Sequence, residues 1–232
     1  MRTAGLIGGI APESTIQYYR QIVGDYRDRK QDGSYPSIII NSIDMTKMLD
    51  LIGADRLEDV TEYLLEEVCK LGRAGADFGA LASNTPHVVF EALQGRSPIP
   101  LISVVRAACD AAQVQGLKRV CLFGTRFTMQ GRFYSEVFAP AGIMVVTPEP
   151  DDQAYIHEKY MSELVNGIFL PETRATLLTI VRHLRMREDI DGLILGGTEL
   201  PLILPAPEYE GIPCLDTTKL HARQIAAELL RS

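Results

Sequence analysis

At 232 residues, with 46% hydrophobic and 23% charged residues, the chain has an ordinary globular composition and is long enough for one large domain or two small ones. Its net charge of −7 and lack of any Lys/Arg run exclude a nucleic-acid footprint, because the basic residues from Arg20 to Lys30 are interspersed with acids and read as a solvated helix face. No segment approaches membrane-spanning length, and the apolar stretch after Arg2 breaks at Gly8-Gly9, too short for a signal peptide.

Short apolar runs alternate with longer amphipathic segments. In chain order the pattern predicts a strand over 3–8, a helix over 13–26, a strand over 37–43, a helix over 56–72 and a strand over 78–82. A helix over 86–93, a strand over 100–103 and a helix over 105–114 follow. Next come a strand over 119–124, a helix over 130–138, a strand over 143–147 and helices over 155–168 and 173–186. Strands over 192–195 and 212–215 and a helix over 217–230 complete the chain. Val60, Tyr63, Leu64, Val68 and Leu71 repeat at i, i+3, i+4, as in a helix with one buried face. Ile38-Ile39-Ile40 is apolar without alternation, which suits a parallel strand covered on both faces. Alternating βα order implies parallel sheets with right-handed crossovers.

The construction occurs twice. Ala4-Gly5-Leu6-Ile7-Gly8-Gly9 leads to Asp77-Phe78-Gly79-Ala80-Leu81-Ala82-Ser83 and then to Ile99-Pro100-Leu101-Ile102. Val120-Cys121-Leu122-Phe123-Gly124-Thr125 leads likewise to Asp191-Gly192-Leu193-Ile194-Leu195-Gly196-Gly197 and then to Ile212-Pro213-Cys214-Leu215. Ser83 lies 75 residues after Gly8, and Gly197 lies 73 after Gly124. The expected architecture is α/β, with two pseudo-symmetric lobes, each a parallel sheet flanked by helices, and an active site in the cleft between them. Residues 1–103 plus 211–232 form the first expected lobe and 104–210 the second. Ligands of open α/β sheets collect at the carboxyl ends of strands, where Gly8, Ser83, Gly124 and Gly197 stand.

Cys69, Cys109, Cys121 and Cys214 have neither C-x-x-C nor zinc-ligand spacing and read as reduced core thiols, which favours a cytoplasmic location. No metal-ligand grouping, dinucleotide fingerprint, phosphate loop or G-x-S-x-G elbow occurs.

The run Gly5-Leu6-Ile7-Gly8-Gly9-Ile10-Ala11-Pro12-Glu13-Ser14-Thr15 with Tyr18-Tyr19-Arg20 resembles the opening signature of the aspartate/glutamate racemase family, in its amino-acid racemase branch. Asn84-Thr85-Pro86-His87, Leu122-Phe123-Gly124-Thr125 with Thr128-Met129, Gly196-Gly197-Thr198-Glu199-Leu200-Pro201, and Asp216-Thr217-Thr218 with His221 are similar to further signatures of it. The resemblance implies a cofactor-independent (PLP-independent) isomerase acting on a small amino acid or dicarboxylate, and a homodimer. It also implies that Ser83 and Gly197 stand where the family has its two catalytic cysteines. A thiol ionises near 8.5 and a serine hydroxyl near bulk water at about 15.7, so an unassisted Ser83 alkoxide is about 10 kcal/mol harder to form. Two-thiol racemisation is therefore closed to this chain. One-sided chemistry (elimination, decarboxylation or hydrolysis) or a residual isomerase with non-thiol bases remains, and the alternative is a catalytically inactive binding or regulatory homologue.

Ser83 reads as a substrate contact, an activated nucleophile or a cap for the following helix. His87 is the nearest imidazole, able to polarise Ser83 or protonate an intermediate, against a structural reading. Glu199 and Glu13 lie at strand-end turns, as general bases or as carboxylates complementing helix N-termini. Asn84, Thr85, Thr125 and Thr198 suit a carboxylate through hydroxyls, amides and backbone N–H groups, and the resemblance adds Gly9 and Thr128. Lys159, on a helix that relatives use near the active site, would pair with a distal carboxylate, with Lys47 a weaker candidate. His157, His183 and His221 read as structural or exposed.

Overall fold

The computed structural model describes residues 2–231. The chain runs β1 (Thr3–Gly8), α1 (Pro12–Lys30), β2 (Ser37–Ser42), α2 (Met45–Gly53), α3 (Leu57–Arg73), β3 (Phe78–Leu81), α4 (Phe90–Arg96), β4 (Leu101–Ile102) and α5 (Val104–Val114). It continues through β5 (Arg119–Gly124), α6 (Arg126–Gln130), α7 (Phe133–Phe138), β6 (Met144–Val146), α8 (Pro150–Ser162), α9 (Pro171–Glu188) and β7 (Gly192–Gly196). The last elements are α10 (Leu200–Ile203), β8 (Glu208–Tyr209), β9 (Ile212–Asp216) and α11 (Thr217–Leu229).

The elements form two compact units, Met1–Val104 with Thr218–Ser232, and Val105–Thr217. The first holds a wholly parallel sheet in the order β2-β1-β3-β4. Alternate residues of its strands serve opposite faces. Ala4, Leu6, Phe78 and Ala80 pack on Tyr18, Ile22 and Tyr26 of α1 and on Ala222, Ile225 and Ala226 of α11. On the other face α3 comes so close that a Cβ on Gly5 would lie 3.0 Å from Leu71, so glycine there sets the helix-to-sheet distance.

The second unit repeats the plan in the order β6-β5-β7-β9-β8, with only the two-residue edge strand β8 antiparallel. Cys121, Phe123, Leu193 and Leu195 pack there against Ile156 and Tyr160 of α8 and Leu177, Ile180, Val181 and Leu184 of α9. With β5, β6, β7 and β9 matched to β1, β2, β3 and β4, the parallel strands of both sheets follow one order.

One expected boundary moves. Residues 211–217 stay with the second unit, because β9 pairs in parallel with β7, Leu193 opposite Cys214 and Leu195 opposite Asp216. Without β9 that edge of β7 would expose an unpaired ladder, as β3 would without β4. The helix expected over 86–93 becomes a 3₁₀ turn, Thr85–Val89, followed by α4. The one expected over 130–138 is broken by Gly131 in extended conformation. Helix α2 is not among the elements the sequence pattern predicts. It is short, started by the Asp44 carboxylate accepting from the Thr46 and Lys47 N–H groups, and buries only Met48 and Ile52.

Candidate functional site

The strand-end turns of each unit carry most of the candidate residues. At the end of β1 the chain reverses through Gly9 at φ +79°, its N–H donated to Thr15 Oγ1 at 2.9 Å. A Cβ there would lie 2.5 Å from the Ile43 carbonyl oxygen, so both conformation and space require glycine. Glu13 is exposed in the first turn of α1, where a carboxylate complements the helix dipole.

At the end of β3, Ser83, Asn84 and Thr85 are all buried. The 3₁₀ turn that follows takes Asn84 as its N-cap and has no side-chain cap bond, so Ser83 does not cap it. Among the described residues the Ser83 hydroxyl makes no hydrogen bond. His87 does not activate it. The His87 Nε2 accepts the Val104 N–H at 3.2 Å, which leaves Nδ1 to carry the ring proton and donate to the Ser83 carbonyl at 3.0 Å. The ring stacks on Phe90 with centroids 4.9 Å apart. Burial, and then the neighbouring His221, push the His87 pKa down to about 3, so it is a neutral structural imidazole near pH 7. His221 is held the same way. Its Nε2 donates to the Ile102 carbonyl at 2.9 Å, its Nδ1 accepts from Tyr18 Oη at 2.9 Å, and burial lowers its pKa to about 4.

In the second unit, Thr125 ends β5 as the N-cap of α6. Its Oγ1 accepts the Thr128 N–H at 3.3 Å and lies 3.1 Å from the Thr128 hydroxyl. Thr128 is fully buried, and its hydroxyl serves this cap.

The end of β7 is the most unusual turn. Gly197 has no side chain, and the space a Cβ would take is filled by Tyr160 from α8, with Cε2, Oη and Cζ at 2.5, 2.8 and 2.9 Å from that point. Tyr160 Oη donates to Glu199 Oε2, which also accepts from Thr198 Oγ1 at 2.7 Å. Glu199 is 1% exposed, and its Oε1 is buried with no hydrogen-bond partner among the described residues. A buried carboxylate oxygen without a donor is an exception in native proteins and calls for an explanation.

No sequence pattern marks Tyr160, which follows Lys159 on α8. Its aromatic ring meets Gly197 of the double glycine Gly196-Gly197 only through packing. Lys159 itself points elsewhere. Its Nζ lies 2.8 Å from Glu163 Oε1 and 3.5 Å from Glu158 Oε2, and the Glu163 hydrogen bond raises its pKa. It is an ion-pair residue of its own helix, with its charge already matched. Lys47 is exposed and lies over the Tyr63 ring, 4.1 Å from its centroid. His157 Nδ1 accepts the Arg126 N–H at 3.3 Å, and His183 is exposed on α9.

All four cysteines are free, Cys69 and Cys214 only partly buried. Burial raises Cys121 far out of the physiological range and Cys214 to about 12, so neither is a ready thiolate. Among the described residues no group of three or more His, Cys, Asp or Glu side chains could hold a metal ion, and no helix is long and apolar enough to cross a membrane.

Residues 7–225 match the model of the Asp/Glu/Hydantoin racemase family. The chain is 26% identical to the broad specificity amino-acid racemase RacX of Bacillus subtilis, with 97% of each chain covered. Two crystal structures align over all of both chains at 29% identity. One, of a Yersinia pestis protein provisionally described as an Asp/Glu racemase, gives a TM-score of 0.90, and the other, of the aspartate racemase homologue PH1733 from Pyrococcus horikoshii OT3, gives 0.84.

Proposed function

The chain belongs to the Asp/Glu/Hydantoin racemase family, and from that premise we propose that it is an enzyme performing cofactor-independent acid/base chemistry at the carbon next to the carboxylate of a small amino acid or dicarboxylate. The observation that carries the reading is Glu199, a buried carboxylate at the end of a central parallel strand with two donors on one oxygen and none on the other. Such a group is held in place and able to take up a proton. His87, Lys159 and Thr128 are left out of the chemistry, because their polar atoms are committed within the fold.

With no thiol at position 83 or 197, one base acts and the expected outcome is exchange of the α-hydrogen without inversion. The broad specificity in the name of the Bacillus subtilis relative makes the substrate panel wide. The test is incubation with the L and D forms of aspartate, glutamate and representative neutral and basic amino acids in D₂O, followed by NMR and chiral analysis. Cα–H exchange or a new product supports an enzyme, and inversion shows a second base. Thermal stabilisation by an amino acid with no spectral change favours a binding homologue. A homodimer is part of the same proposal, checked by sedimentation.

A further inference from the structure

The end of β7 contains a substitution of one side chain for another that the strand-end motif alone does not show. Glycine at 197 removes a side chain, and the Tyr160 phenol supplied by α8 fills the vacated volume, its Oη 2.8 Å from where the missing Cβ would be. The group delivered there carries a transferable proton. That proton points at Glu199 Oε2, and the second Glu199 oxygen is buried without a donor. Burying the Glu199 carboxylate is costly, and the Tyr160 hydroxyl is one of the two donors that offset the cost.

Resting on the family reading above, we infer that Tyr160 Oη is the atom that meets the substrate's α-hydrogen from the β7 side, in the place of the family's second thiol, with Glu199 as the final proton acceptor. The α C–H bond breaks and its electron pair stays on carbon, delocalised into the adjacent carboxylate. The proton binds Tyr160 Oη while the phenolic proton passes to Glu199 Oε2. Tyr160 ends neutral and Glu199 ends as the carboxylic acid. Return of a proton along the same path, after exchange with water, reprotonates the same face. Burial first, and the Glu199 charge next, hold the phenol well above its ordinary ionisation range, so a relay through a neutral phenol fits better than a resting phenolate.

Tyr160→Phe keeps the ring against Gly197 and removes only the oxygen, while Glu199→Gln keeps the shape and removes the acceptor. Both variants and the wild type are assayed for Cα–H exchange with the amino-acid panel in D₂O, with kcat and KM resolved for the best substrate and thermal denaturation checking the fold. The expected result is a fall in kcat of about 100-fold or more in each variant, KM within about threefold, and a larger rate penalty for α-deuterated substrate in Tyr160→Phe. Exchange at the wild-type rate in folded Tyr160→Phe overturns the role of Tyr160 and leaves the proposed function standing. A wild-type protein inert toward the whole panel overturns both.

Discussion

Replacing Gly197 by alanine tests the packing on which the β7 turn depends. Its φ lies outside the left-handed region, so the added methyl costs nothing in backbone conformation and everything in space. The new Cβ would lie 2.5 Å from Tyr160 Cε2 and 2.8 Å from its hydroxyl, well inside van der Waals contact, and the ring must shift by about 1 Å to clear it. Tyr160 is 6% exposed and packs with Ile156 and Leu164, so it has little room to retreat. Overpacking of this kind costs about 1–3 kcal/mol, and loosening the hydrogen bond to the buried Glu199 carboxylate adds about 1–2 kcal/mol. The expected total is about 2–5 kcal/mol, read from urea unfolding as a lower midpoint at unchanged slope. Tyr160→Ala should itself cost about 3–5 kcal/mol, yet the double variant should be more stable than the sum of the two losses by about 1–3 kcal/mol. The same geometry says that Gly197→Cys cannot seat a thiol unless Tyr160 is trimmed as well. Gly197→Ala within about 0.5 kcal/mol of wild type, or strict additivity with Tyr160→Ala, would refute the reasoning.

Acid should destabilise the first unit through its two buried imidazoles. His87 and His221 titrate at about 3 and about 4 when folded, against about 6.5 unfolded, so their contribution is fully present above pH 6.5 and lost as pH falls toward those values. The loss by pH 5 is about 2 kcal/mol per histidine, and His221→Gln should flatten the slope of stability against pH between 6.5 and 5, as followed by urea unfolding. Gly9→Ala combines a left-handed φ with a collision against the Ile43 carbonyl and should cost about 3–5 kcal/mol; a neutral result in the same assay would contradict the turn described. Lys159→Met should change KM for any amino-acid substrate by less than about threefold, because its charge is matched by Glu163; a tenfold rise would return it to the binding site.

The amino-acid order by itself determined the two α/β units, the parallel strands and their repeat, because buried parallel strands need continuous apolar runs and strand-end turns need glycine and short polar residues. It also carried the family, through Gly8-Gly9, Asn84-Thr85-Pro86-His87 and Gly197-Thr198-Glu199 in sequence. Contacts between segments distant in the chain decided the rest. Strand β9 joined the second sheet because β7 had an open edge, and His87 and Lys159 lost their chemical roles because the Val104 amide and the Glu163 carboxylate occupy them. Tyr160 lies 37 residues before Gly197, and no local pattern links an aromatic on one face of α8 to a missing side chain on a strand. Volume and hydrogen-bond geometry are properties of packed neighbours, and only the folded chain brings those neighbours together.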